Sequence, residues 1–367
     1  LTQFDSYTFQ LENEPVSLLA HNYLFTAAFD AQSGAKLIRI NKFNLEFQMQ
    51  WPDEGLVVHQ SNADQRKVKL FETYDGIGVV WSEIRDEIDF DLFYQRFDLD
   101  GQIEFDSTGV TLLDGIWTDN YVEGIYSTPD SSFILVWVDD VWGAGSLKFQ
   151  KYNLDGGVAD GWPNDGYTLS STGDPEKLKG KVINSVDGIL VSWEESYNFN
   201  KNIKANIIHW DGTLEWSNGL VLTSAENDQI NLELAIDESS QTSLVIWEDF
   251  QNGNDLNIVG QFIDLSNKTL LNENIIICDD EVYQQSPVLK SVDDGYYLIA
   301  WEDERGFLNN DPVLSGGLDI YAQVVHYENG NVYLENGIAL CQEYHDQKGP
   351  KISLMKDNQD NSQNLWF

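Results

Sequence analysis

Acidic residues that directly follow a tryptophan recur along the chain: Glu83, Asp139 and Asp140, Glu194 and Glu195, Glu248 and Asp249, and Glu302 and Asp303, with Asp30 after Phe29 as a degenerate copy. Gathered on one face, such carboxylates could take a hard cation such as calcium through oxygen ligands. Two of them at a fixed separation, one with a raised pKa, could instead hydrolyse a glycosidic bond. A plainer role competes with both, because a residue repeated with its surroundings commonly serves the repeat, here by capping backbone amides or pairing with a neighbouring unit. Other chemistries lack their parts. The five histidines and two cysteines do not cluster as zinc ligands. No Ser-His-Asp arrangement is supported, and the hairpin Asp98-Leu99-Asp100-Gly101 lacks the distal glutamate of a calcium loop.

The elements that carry these acids are set by the spacing. The aromatic anchors Phe29, Trp81, Trp137, Trp193, Trp247, Trp301 and Trp366 lie 52, 56, 56, 54, 54 and 65 residues apart. A period in the fifties predicts a repeat architecture. Each unit reads as four short strands, clearest from Pro287 to Cys341: a first strand, the apolar run Tyr296 to Trp301, the alternating run Asp319 to His326, and a last strand around Gly337 to Cys341. Asp-Gly and Asn-Gly pairs close the turn after the third strand, where positive φ is required. The amides Gln95, Gln150, Asn206, Gln261 and Gln323 sit three residues ahead of that turn, a register that marks them as structural. Sustained helical periodicity is absent. The predicted fold is all-β: a β-propeller of four-stranded antiparallel blades, seven in number, the last composite or incomplete, with a stacked solenoid as the weaker alternative.

The expected blades are 11–63, 64–120, 121–177, 178–230, 231–285 and 286–347, with 348–367 joined by 1–10 in the last, all within one domain over 1–367. The tryptophans Trp81, Trp137, Trp193, Trp247, Trp301 and Trp366 are read as wedges between blades. A formal charge of −40 opposes a phosphate backbone or an anionic membrane, so nucleic acid is excluded as a partner. No apolar run is long enough for direct insertion into a bilayer. The start at Leu1 suggests either a removed targeting segment or an excerpt of a longer chain. Cys278 and Cys341 fall at equivalent positions in adjacent units, too far apart for a bridge, and are expected as buried free thiols.

The unit Trp301-Glu302-Asp303-Glu304-Arg305, then a polar loop, then Asp319-Ile320-Tyr321-Ala322-Gln323 and a hairpin turn resembles a repeat of large secreted and cell-surface bacterial proteins. Six units carry some version of it. The resemblance implies a β-propeller, export to the extracellular space or outer cell surface, and association with type IX secretion sorting domains. It brings no catalytic residues.

Loops after the second strand and loops between blades should share one face, and the irregular ones concentrate candidate binding residues there: Trp117, Tyr121, Trp142, Tyr283, Phe307, Asn309, Asp311 and Tyr344. Aromatic rings beside amides and carboxylates suit a sugar or a peptide. The reading that follows is a non-catalytic extracellular binding or structural module, contacting a protein or glycan at the cell surface, with no cofactor beyond calcium. The alternatives are a glycan-active hydrolase or lyase on the same scaffold, and a subunit of a larger surface assembly.

Overall fold

The computed structural model describes residues 15–30, 36–52, 54–85, 89–115, 117–141, 144–171, 176–183, 188–197, 200–250, 255–308, 317–331, 335–356 and 363–366. The chain divides into two compact units, 1–175 and 176–367. The first holds three four-stranded antiparallel sheets, numbered here one to three, over 16–57, 65–113 and 119–170. The second holds sheets four to six, over 176–221, 229–278 and 284–341, and a hairpin of Ser353–Lys356 with Gln363–Trp366. In sheets one to five the strands neighbour one another in chain order. In sheet six Gly330–Asn331 and Ile338–Cys341 both pair with the third strand, Asp319–His326. Residues 1–10, assigned from sequence to a composite last blade, lie outside the described residues, as do parts of the last segment.

Second strands are buried on both faces, as their unbroken apolar runs require; every residue of Gly76–Glu83 and of Thr242–Asp249 is buried. In sheets two, three, five and six the tryptophan near the end of the second strand packs into the core shared with the preceding sheet. Trp137 joins Phe71 and Val80 of sheet two, Trp247 joins Leu190 and Ile203 of sheet four, and Trp301 joins Leu244 and Ile246 of sheet five. These residues are wedges between sheets, and in sheets two, three, four and six the indole ends against a glycine just before the fourth strand. Gly109, Gly166, Gly219 and Gly337 all have positive φ, and a Cβ on any of them would meet the six-membered ring edge of Trp81, Trp137, Trp193 or Trp301 in turn. The turn amides are structural as expected. Asn206 donates through Nδ2 to Trp216 O at 2.7 Å and accepts from Ile207 N and Trp216 N, and Gln95 donates to Asp106 O at 2.8 Å.

First strands carry a recurring bulge. Pairing with the second strand skips between Arg66 and Lys69, Ile230 and Glu233, and Gln285 and Val288. The extra residue takes positive φ at Lys67, Asn231 and Ser286. Cys278 is buried, with its thiol pushed up to about 12 by burial, whereas Cys341 is half-buried, because its short edge strand is covered on one side only. Both are free thiols.

Turns between first and second strands are tied to the next sheet. Asp237 accepts Ser239 N at 2.8 Å, the hydroxyls of Ser239 and Ser240 at 2.6 and 3.0 Å, and Gly295 N of sheet six at 2.5 Å. Burial pushes its carboxyl up, but these bonds outweigh burial and hold it below its ordinary value of 3.8. A depressed folded pKa contributes stability above the unfolded value, lost as pH falls through the folded one. Asp237→Asn is therefore expected to lower stability by about 2 kcal/mol at pH 7. In denaturant titrations the gap from the parent protein should close as pH falls below 3.8. A gap independent of pH would assign the loss to packing.

Candidate functional site

In sheets two, four, five and six the acid two residues after the tryptophan is bound by the indole it follows. Trp81 Nε1 donates to Glu83 at 2.8 Å, Trp193 to Glu195 at 3.1 Å, Trp247 to Asp249 at 3.2 Å and Trp301 to Asp303 at 2.8 Å. A cation then meets most of these carboxylates. Lys148 pairs with Asp139, and Lys204 with Glu195 at 2.7 Å; each lysine sits opposite its tryptophan on the third strand. Sheets two and six use an arginine four residues after the tryptophan. Arg85 reaches Glu83 at 3.2 Å and lies 3.4 Å over the Phe93 ring. Arg305 grips Asp303 with Nε and Nη2, both at 2.8 Å, and lies 3.7 Å over Tyr321. Its Nη2 also donates to Asn336 O at 2.8 Å.

Charge is balanced across each of these sheets. Where the arginine is present, the third strand opens with a second acid opposite the first, Asp91 facing Glu83 and Asp319 facing Asp303. Sheet five has Gln251 at the arginine position, and Asn257 faces Asp249. Two carboxylates with one guanidinium carry the same net charge as one carboxylate beside an amide.

The acid one residue after the tryptophan clasps the next sheet. Glu194 accepts Asn231 N at 2.7 Å, Glu248 accepts Ser286 N at 2.7 Å, and Glu302 accepts Gly349 N at 2.8 Å; all three donors have positive φ. Asn231 Nδ2 donates to Glu248 at 2.7 Å, and Gln285 Nε2 to Glu302 at 3.1 Å. The row of acids is thus engaged in backbone capping and ion pairing. Among the described residues no three His, Cys, Asp or Glu side chains group as a metal site.

Sheet six departs from this pattern at Asp319. Its counterpart Asp91 is capped by Gly115 N at 3.1 Å, whereas Asp319 is approached by the side-chain amide of Gln342 at 3.4 Å. The same amide donates to Tyr321 Oη at 2.9 Å. Asp319 is 3 % exposed, and burial pushes its carboxyl above the ordinary 3.8; the Gln342 hydrogen bond offsets part of this, the charge of Asp303 adds to it and Arg305 opposes it. Burial likewise raises the Tyr321 phenol. The loops on either side converge here, as the sequence expects of one face. Gln347 N donates to Leu318 O at 2.6 Å, and Leu318 N to Asp346 at 3.2 Å. Tyr344 is 56 % exposed in one of these loops, and Tyr283, whose carbonyl takes Glu304 N at 3.0 Å, is 38 % exposed beside the other.

The predicted binding residues are distributed over both units. Trp117 is exposed in the first unit at φ 67°, its N–H held by Asp89 at 2.5 Å, and Tyr121 lies half-buried with its ring 5.3 Å from Phe90. Tyr283 and Tyr344 flank the Asp319 region of the second unit. Phe307 belongs to the short helix Arg305–Leu308, with its side chain outside the described part. Trp142, Asn309 and Asp311 lie outside the described residues, and of Trp366 only the backbone, in the last hairpin, is described. Sequence reasoning missed Asp319, Tyr321 and Gln342. The first two stood in the Asp319-Ile320-Tyr321-Ala322-Gln323 run as repeat markers, and the useful signal was Asp319 where sheet five has Asn257.

No family profile and no curated protein matches the chain. Solved structures do. The periplasmic gluconolactonase of Pseudomonas aeruginosa is 10% identical, with a TM-score of 0.50 over 89% of this chain and 83% of that one. The chain folds as a β-propeller. An α-L-arabinanase of Penicillium chrysogenum, complexed with arabinobiose, matches at 12% identity and a TM-score of 0.45, over 89% of this chain and 96% of that one. A puromycin hydrolase matches at 11% identity and a TM-score of 0.46, over 87% of this chain; the chain spans about half of that protein's length, 47%. The gluconolactonase is named as an enzyme, and this runs against the expectation of a non-catalytic binding or structural module. Asp319 keeps the position of Asp91 with a side-chain amide, that of Gln342, where Asp91 has a backbone cap.

Proposed function

We propose that the protein is a glycan-active hydrolase on a propeller scaffold, with Asp319 as its general acid. The observation that carries this reading is a buried carboxyl raised by burial, met by the Gln342 amide where its counterpart Asp91 is capped by a backbone N–H. A carboxylic acid that keeps its proton towards neutral pH is the group glycoside hydrolysis needs at the leaving oxygen. Asp319 gives its proton to that oxygen as the C–O bond breaks. Water adds to the carbon left behind, and the proton it sheds returns to the Asp319 carboxylate. Burial raises the Asp319 carboxyl, Asp303, fixed by Trp301 and Arg305, adds to this, and the exposed rings of Tyr283 and Tyr344 offer apolar faces for sugar units. The names of the arabinanase and the gluconolactonase supply the carbohydrate class. An exported enzyme acting on an external glycan also fits the repeat resemblance.

The test is release of reducing sugar from a panel of arabinans, xylans and β-glucans by the purified chain. Asp319→Asn is expected to lower kcat/KM about 100-fold or more with the fold intact, while Glu343→Gln, at an exposed neighbour, leaves it unchanged. The parent rate should fall as pH rises through the elevated Asp319 value, because a general acid acts in its protonated form. No hydrolysis of any polymer, or equal rates in the parent and Asp319→Asn, sinks the assignment.

A further inference from the structure

In the first unit the turns between first and second strands of three successive sheets enclose a cleft of about 250 Å³ that the reading above does not use. His21, at φ 51°, comes from sheet one, Glu72 and Tyr74 from sheet two, and Ser127, Thr128 and Ser131 from sheet three. The walls are fixed by bonds between sheets. His21 Nε2 donates to Thr73 O at 2.9 Å and Gly76 O at 3.2 Å, and Ser127 Oγ donates to Glu72 O at 2.7 Å. Tyr74 is held from behind by Arg96, whose guanidinium lies 5.2 Å from the ring and donates to its hydroxyl at 3.2 Å, yet the residue is 68 % exposed. Glu72 has half of its side chain in solvent, and the imidazole nitrogen nearest its carboxylate is 3.6 Å away.

We propose that this cleft binds a single sugar ring of a neutral glycan, with the Tyr74 ring against one apolar face and Glu72 accepting from a pair of vicinal hydroxyls. Size argues for one ring, since clefts for larger ligands begin near 300 Å³. Chemistry argues for a neutral polyol. The lining mixes hydroxyls, an imidazole and one carboxylate, the nearby charges of Asp75 and Asp130 are met by Arg96 and Lys151, and one braced aromatic face stands at the rim. A rigid ring loses little entropy on stacking, and hydroxyl-to-carboxylate hydrogen bonds supply orientation.

The experiment is saturation-transfer NMR with xylotriose, cellotriose and maltotriose on the full chain carrying Asp319→Asn, which removes turnover without touching this cleft. Transfer to at least one trisaccharide is expected, with affinity about tenfold weaker in Tyr74→Ala and in Glu72→Gln. Both side chains are exposed, so neither change disturbs the core, and thermal melts check this. Binding that survives both substitutions belongs elsewhere and overturns the proposal, as does the absence of transfer from all three sugars. Hydrolysis by the parent chain is scored separately, so a failure of this cleft is distinguishable from a failure of the Asp319 assignment.

Discussion

Replacing Arg305 with leucine is expected to destabilise the protein by about 3–5 kcal/mol, because the buried Asp303 carboxylate loses its cation and Asp319 beside it loses the positive charge that favours its ionised form. The informative variant adds Asp319→Asn. It recreates in sheet six the arrangement of sheet five, where Asp249 faces Asn257 without an arginine at the corresponding position. Above the raised Asp319 pKa, recovery of at least about 1 kcal/mol relative to Arg305→Leu alone follows from removing the second carboxylate's charge. The lost stacking on Tyr321 is not restored, so recovery stays partial. Denaturation midpoints of the single and double variants decide it: if the double variant is no more stable than Arg305→Leu, charge balance is not what couples the arginine to the third-strand acid.

The second large effect concerns the glycines under the tryptophans. A Cβ at Gly337 would lie 2.5 Å from the Trp301 ring and 2.7 Å from Ala322 O, on a backbone with φ 76°. Left-handed backbone costs an alanine about 1–2 kcal/mol and overpacking a further 1–3 kcal/mol, so Gly337→Ala should lose about 2–5 kcal/mol. Gly219 has the same φ class, but its nearest contact, the Trp193 ring, is at 3.2 Å, and its loss should be smaller. Gly349 has φ 66° and nothing within 4 Å, so it isolates the conformational cost. Thermal unfolding should therefore rank Gly349→Ala mildest, Gly219→Ala intermediate and Gly337→Ala worst. A flat series would mean that the tryptophans move aside at no cost.

The same contacts explain what could be read from the chain. Tryptophan spacing was legible because the copies plug like gaps between sheets, four of them against a positive-φ glycine, so the sequence repeats wherever the geometry does. The turn amides were legible because they bond within about ten residues of themselves, as Asn206 does with Trp216. The acids after the tryptophans showed their positions but not their partners. Glu248 finds its donor 38 residues away and Asp319 meets Gln342 23 residues away, and neither separation has a local signature. Asp319 was overlooked for a further reason. Its pKa depends on burial and on the field of Asp303, and both arise only when the sheet is assembled.

The clasps between sheets run in one direction. Each carboxylate, Glu194, Glu248 or Glu302, belongs to the earlier sheet, and each donor N–H lies 37, 38 or 47 residues later. As the chain leaves the ribosome, every sheet of the second unit therefore waits, with an unmatched acid at its rim, until the first strand of its successor arrives. That acid stays hydrated in the interval and keeps the rim from sealing or pairing with a stranger. The rim of each of these sheets is thus completed only by residues that follow it in the chain.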